Sequence, residues 1–407
     1  MAKPQTSTAT RKTAREGPDT ARAWYLGVFC TAYAFFGWVG LSSTPVLYVG
    51  LITHSGASRE AASHPFTAMM CAYFTGKYTD LHHFASTDMR LLPSGSNPQP
   101  LGLGVASVGV VVGALLSQYF VKYRATAFAL MSVTLSLTGV VFPPVAAYFV
   151  AEYGFSASLL LLGALSLHLF LCSLPLGPQP WQKEPPPRPP PPPATVTAHK
   201  TPAVRPFLQS IFVIVCSTNA CSCFAIFTYT LTIVDFAHDC GFRGYQAAML
   251  MTAMSIGWAA ASVALAPAVD AGLTSKETMV FTSFVVQGVG FVFMAFLGEH
   301  YGWLVAGSVL VGWGQGSRGF LLFLFVPERF PKGQVPLAFA LMSLSCTLPF
   351  FARAPIIGYV RDTLGSYFML MIGLAIMDVV LAVCWGALAL LKWRHRTAKL
   401  RIALPFA

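Results

Sequence analysis

Uncharged runs of eighteen residues or more recur along this chain, separated by short polar interruptions. An α-helix rises about 1.5 Å per residue, so about 20 such residues cross the roughly 30 Å hydrocarbon core of a bilayer. The pattern predicts full spans at 24–52, 101–120, 127–150 and 155–176, then at 206–235, 246–269, 278–297, 302–326, 335–360 and 367–391. A further apolar stub, PFTAMMCAYFTG at 65–76, has about half the needed length. Between the two groups lies LGPQPWQKEPPPRPPPPPATVTAHKTPAVR (176–205), whose proline run favours an extended, solvated spacer. The chain thus divides into a tail (1–23), an incomplete N-terminal bundle (24–176) with a polar interruption at 77–100, a proline-rich linker (177–205), a six-helix bundle (206–391) and a basic tail (392–407).

Composition sharpens the reading. Apolar residues make up 55% of the chain and charged residues 10%, with a mean hydropathy of +0.62. A soluble domain carries about 25% charged residues, so this surface must meet lipid. An all-α polytopic membrane protein is expected, with about ten full spans plus a short stub. The net charge of +11 would suggest nucleic acid in a soluble protein. Here the basic residues cluster in tails and loops, as orientation charges do, so no nucleic-acid partner is expected. If both tails, the linker and the loops at 121–126, 270–277 and 327–334 face the cytoplasm, they hold most of the 26 lysines and arginines. The other side then holds Arg59, Lys77, Arg90, Arg243 and Arg361, while Arg318 and Arg353 fall inside spans. Both termini are therefore expected in the cytoplasm, and the first residues read as a tail, not as a signal peptide. The cysteines lie mostly in apolar runs, and Cys216, Cys221 and Cys223 lack the paired spacing of a zinc site, so no metal is expected.

One stretch breaks the pattern: GKYTDLHHFASTDMRLLPSGSNPQP, Gly76 to Pro100. Charge parity constrains it. The N-terminus and the loop VKYRAT both read as cytoplasmic, so an even number of crossings separates them, and spans 24–52 and 101–120 already supply two. Residues 53–100 then contribute none or a pair. A charged residue at mid-bilayer costs at least about 2.5 kcal/mol, so the expectation is that 53–100 stays outside, with the stub in the interface or dipping in and out.

Two helix groups joined by a long cytoplasmic linker resemble the plan of the major facilitator superfamily. Local residues narrow the likeness to the monocarboxylate transporter family. QYFVKYRATAFALM (Gln118 to Met131) is similar to that family's signature after the fourth helix. VFPPVAAYFVAEYGFSASLLLLGAL (Val141 to Leu165) continues it, with paired prolines and a Tyr-Gly turn before the sixth helix. TIVDFAHDCGF (Thr232 to Phe242) looks like the turn between helices seven and eight, and RAPIIGYVRDTLGSY (Arg353 to Tyr367) like the end of helix eleven. Against that family, the second half of helix two and all of helix three look replaced by the polar stretch. A splice form, a gene-model error or a genuine deletion would each leave this pattern.

The resemblance implies a secondary transporter of a small organic solute, a monocarboxylate-like anion, at the plasma membrane. Ionisable residues inside spans mark a substrate path, which makes Arg318 and Arg353 candidate carboxylate ligands, since a guanidinium binds a carboxylate in two-pronged fashion. Each is also close enough to an interface for its side chain to snorkel there. His168 is a candidate proton relay, set against a structural histidine. Lys122 and Arg124 read as cytoplasmic gate and orientation charges. Gly312 and Gly316, a Gly-x-x-x-Gly pair, read as helix packing, and Asp235 and His238 as a solvated turn. The departures are equally informative. Proton-coupled members of the family use a lysine in the first helix and an aspartate–arginine pair in the eighth. Alignment through flanking residues places Ser42, Trp258 and Ser262 at those positions. Facilitated diffusion therefore stands beside proton symport, and a non-transporting relative with a receptor-like or regulatory role is the alternative. The run Pro185 to Pro193 would suit an SH3 or WW partner, or serve as a spacer. No nucleophile–base constellation or Walker loop is present, so neither an enzyme, nor a cofactor, nor ATP-driven transport is expected.

Overall fold

The computed structural model describes residues 19–86, 112, 115–116, 119–120, 123–176, 210–242, 245–271, 273–330 and 334–403. Its elements are helices throughout those residues. In chain order, α1 (Ala21–Gly37) and α2 (Val39–Ser55) meet at Trp38 and form one continuous crossing of 35 residues. Gly56, in the left-handed region at φ 64°, ends it, as only a residue without Cβ does comfortably. Next comes α3 (Arg59–Ser86). The fourth helix, α4 (Arg124–Ser166), has 43 residues, about 64 Å at 1.5 Å each, far too long for one crossing. It turns at Gly154 (φ 79°), at the Tyr-Gly pair the sequence marked, and continues into the short α5 (His168–Ser173).

The second half holds α6 (Ser210–Asp239), α7 (Tyr245–Asp270), α8 (Lys276–Leu297) and α9 (Tyr301–Arg329). The penultimate crossing is broken into α10 (Val335–Leu344), α11 (Thr347–Phe351), α12 (Arg353–Gly358) and a π-helical turn, Tyr359–Thr363. A long terminal helix, α13 (Phe368–Ala403), completes the bundle. Among the described residues, eight stretches are long and apolar enough to cross a membrane, and the one at Thr126–Ser173 is folded in two at Gly154. The chain is an integral membrane protein. The predicted span 101–120 falls largely outside the described residues, although Val112, Leu115, Leu116 and Tyr119 are helical and buried in the main core.

The segment 53–100 is described in part. The structure carries α3 past Gly76 to Ser86 as one helix of 28 residues, about 42 Å. The polar stretch thus begins within a helix; residues 87–100 lie outside those described. The stub itself packs against protein. Its Thr67, Met70, Tyr73 and Phe74 are buried, and Met70, Tyr73 and Phe74 cluster with Cys346 and Phe350 of the opposite half. The hydropathy scan measured solubility in lipid. It could not register that α3 is shielded by protein, and nothing from Lys77 to Ser86 breaks a helix: the segment holds neither proline nor glycine.

The halves meet along three seams: α4 against α7, α3 against α10, α11 and α12, and α2 against α6. Within the second half, α9 lies in the grooves of α7 and α8. Gly312 and Gly316 face the backbone of Met254 and Trp258 on α7; a Cβ at Gly316 would stand 2.9 Å from the Trp258 carbonyl carbon. Gly314, on the opposite face, meets Ser283 O at 2.6 Å by the same measure. Small residues let these backbones approach, and dispersion contacts then supply the attraction that apolar lipid does not.

Candidate central cavity and its polar neighbours

A small cavity lies between the halves, where α1–α2 and α4 face α6 and α7. Its polar lining comes from Trp38, Ser42, Ser136 and Thr138 on one side and Thr230, Ser255 and Trp258 on the other. Its volume is ≈ 40 Å³, room for about three waters. Ser42 and Trp258, two of the three positions where the family's coupling charges are missing, both line it. Ser42 Oγ lies 2.6 Å from Thr138 Oγ1. Thr138 gives its own proton to Leu135 O at 2.6 Å, so Ser42 is the donor. The third position, Ser262, continues a directed chain: Trp258 Nε1 donates to Ser132 Oγ (2.8 Å), Ser132 to Ser262 (2.9 Å), and Ser262 to Gly316 O (3.4 Å). A neutral hydrogen-bond chain across the α4–α7 seam stands where the family's charge pair would be. Two groups at the cavity are left over: Trp38 Nε1 and Ser255 Oγ are buried without a hydrogen-bond partner.

Neither predicted arginine lines this cavity. Arg318 is wholly buried inside the second half. Its guanidinium donates to Ser222 Oγ (3.0 Å), Ser283 Oγ (3.3 Å), Gln315 Oε1 (3.2 Å) and Gln287 Oε1, and it lies 4.0 Å over the Phe284 ring. All four acceptors are neutral. Its charge is opposed through space by Asp378 of α13, a buried acid beside the Gln287 amide. Arg318 does not snorkel; it is the hub of the bundle interior. Sequence reasoning missed this partner set. Asp378 had a usable signal, as the single charged residue in FMLMIGLAIMDVVLAVCWGALALL, where a buried charge needs a reason.

Arg353 occupies a different place, the α3–α12 seam. It is buried, its Nε and one terminal nitrogen donate to Thr67 Oγ1 at 3.2 and 3.1 Å, and it lies 5.0 Å from the Phe350 ring. His168 is exposed. Its Nδ1 is 3.1 Å from Leu165 O and its ring stacks on Phe36 at 5.2 Å, away from the cavity and from both arginines. Lys122 lies outside the described residues, and of Arg124 only the backbone, opening α4, is described. Pro185 to Pro193 is likewise outside them. Among the described residues no group of three or more His, Cys, Asp or Glu is arranged to hold a metal.

At one end of the bundle the two halves are locked. Arg59 Nε pairs with Asp235 Oδ2 at 3.1 Å, and Tyr367 donates to the same oxygen at 2.7 Å. Tyr48 donates to Arg59 O at 3.3 Å. Asp362 accepts from the backbone N–H groups of Arg59 and Glu60 at 3.4 and 3.2 Å, so the start of α3 is capped by a carboxylate from the other half. Asp235 is thus no solvated turn residue: it is buried, and it holds the seam.

Comparison with known proteins agrees with this architecture. Residues 100–271 match the family model described as Major Facilitator Superfamily. Mouse monocarboxylate transporter 11 is 26% identical over 272 residues, 65% of this chain and 60% of that protein. Bovine monocarboxylate transporter 13 is 25% identical over 256 residues, 62% of this chain and 57% of that protein. The chain thus spans about three-fifths of the length of these relatives. Among solved structures, the human organic anion transporter MFSD10 (TETRAN) superposes with a TM-score of 0.50 at 15% identity, covering 88% of this chain and 83% of that one. That likeness concerns the fold. The resemblance read from the local motifs is borne out, and the proteins matched are transporters by name, not enzymes.

Proposed function

We propose that this chain, similar to the monocarboxylate transporters and built on the major facilitator fold, moves a small organic solute across the membrane by alternating access. The observation that carries the reading is the cavity between the halves, with the halves locked at one end by Arg59, Asp235, Tyr367 and Asp362. A cavity between two helix bundles, sealed by contacts that can part as the bundles rock, is what alternating access needs. The mechanism is facilitative, because the family's coupling charges are replaced by Ser42, Trp258 and Ser262, whose hydrogen bonds are neutral. Both termini lie in the cytoplasm on the charge count, and the plasma membrane is the site by analogy with the family.

A second reading, a relative that keeps the fold without transporting, is favoured by the size of the cavity, which in this state has room for about three waters and not for a larger organic solute. Reconstitution of the full chain in liposomes separates the two. Transport predicts saturable uptake and exchange of a labelled solute, unchanged by a proton ionophore. Specific binding with no flux of any bound solute would establish the second reading.

A further inference from the structure

We infer that the solute accepted by the central cavity is uncharged and hydrogen-bonding, an amide- or hydroxyl-bearing molecule and not a carboxylate. The inference rests on the transport reading for its physiological meaning, but it concerns binding and can be tested without flux. Three observations carry it. Among the described residues, none that lines the cavity ionises at any working pH. The two arginines inside spans are placed elsewhere: Arg318 has its donors committed to four neutral acceptors within the second half, and Arg353 sits on the α3–α12 seam. Finally, the cavity offers unused polar capacity of a neutral kind. Trp38 supplies an indole N–H donor, and Ser255, 1% exposed, supplies a hydroxyl that donates and accepts.

A buried donor without a partner is costly to leave unmade, so these groups favour a ligand that satisfies them. A carboxylate could accept from both. It would also bring a full charge into a site whose described lining holds no countercharge, and the desolvation penalty of an unpaired ion exceeds what two neutral donors return. A primary amide of the same shape uses the same donors, adds donors of its own for Thr230 or Ser42, and carries no charge. The replacements at Ser42, Trp258 and Ser262 therefore do more than remove proton coupling. They remove the countercharges from the site, and the preferred ligand changes with them.

The experiment compares lactate with lactamide, which have nearly the same shape and differ in charge, against the full chain in detergent by saturation-transfer NMR and in liposomes by uptake. The expected result is binding of lactamide with lactate weaker by roughly tenfold or more. Ser255→Ala should weaken lactamide several-fold without lowering the thermal midpoint, since that hydroxyl makes no hydrogen bond in the closed state. Ser42→Lys should raise lactate relative to lactamide. Lactate binding as well as or better than lactamide overturns the inference, as does failure of lactamide to bind. Indifference of lactamide binding to Ser255→Ala overturns it as well. Lactamide binding without uptake would instead sink the transport reading while the assignment of the cavity stands.

Discussion

Arg318 shows how much one buried side chain can organise. Its acceptors come from three helices, and Ser222, Ser283 and Gln287 lie 96, 35 and 31 residues away in sequence. Replacing it with methionine would remove the donors and leave these acceptors and the Asp378 carboxylate without their cation. We expect Arg318→Met to cost about 3 kcal/mol, read as a lowered thermal midpoint of the solubilised protein. Arg318→Lys should rescue little, because a point ammonium cannot reach four acceptors that a planar fork reaches. Adding Asp378→Asn to Arg318→Met should cost less than the two separate losses combined, by about 1 kcal/mol. Additive losses would mean that the two charges do not sense each other. An arginine within an apolar span was visible in the sequence as an anomaly. What answers it was not, because serines and glutamines in apolar runs carry no sign of which neighbour they will face.

At the scale of elements, the helices were legible where periodicity and breakers agree. The turn at Gly154 and the close approach of α9 through Gly312 and Gly316 follow from residues that stand out as letters. The glycines give a sharp comparison. Gly312 faces the α7 backbone, so Gly312→Ala forces two rigid elements apart and should cost about 1–3 kcal/mol. Gly373, in α13, has open space where a Cβ would go, so Gly373→Ala should be neutral or stabilise by up to about 1 kcal/mol. Chemical denaturation of both variants checks the pair; equal effects would remove the packing argument. What α3 packs against was not legible, for a physical reason. Hydropathy reports what lipid tolerates, whereas α3 turns Thr67, Met70, Tyr73 and Phe74 toward protein. A helix with a protein neighbour can afford polar residues that a lipid-facing one cannot, and a neighbour some 270 residues along the chain leaves no local trace.

The whole molecule is two bundles held shut at one end by a small polar lock. The two-bundle plan was legible from the count of spans and the proline-rich linker. The lock was not, since Arg59, Asp235, Asp362 and Tyr367 are ordinary end-of-helix residues until the fold brings them together. Asp362→Ala removes the cap on α3, worth about 1 kcal/mol, which corresponds to a roughly fivefold rise in the population open at that end. A cysteine placed by Ser42→Cys should then react about fivefold faster with a membrane-impermeant thiol reagent added from that side, the chain without Ser42→Cys serving as the blank for its free cysteines. An unchanged rate would show that the carboxylate cap does not hold the gate.

The α3 seam also has a history in time. Thr67 meets Arg353 only after 286 further residues have been made, which at about 5–20 residues per second takes roughly 15–60 s. Through that interval the face of α3 that ends up against α10, α11 and α12 has no protein from this chain to rest on, while a helix itself forms in about a microsecond. Every newly made copy therefore passes through a long half-assembled stage, exposed to quality control at the membrane where it is inserted. A substitution that weakens this seam would register first in how many copies survive synthesis, before any change in how fast the survivors work.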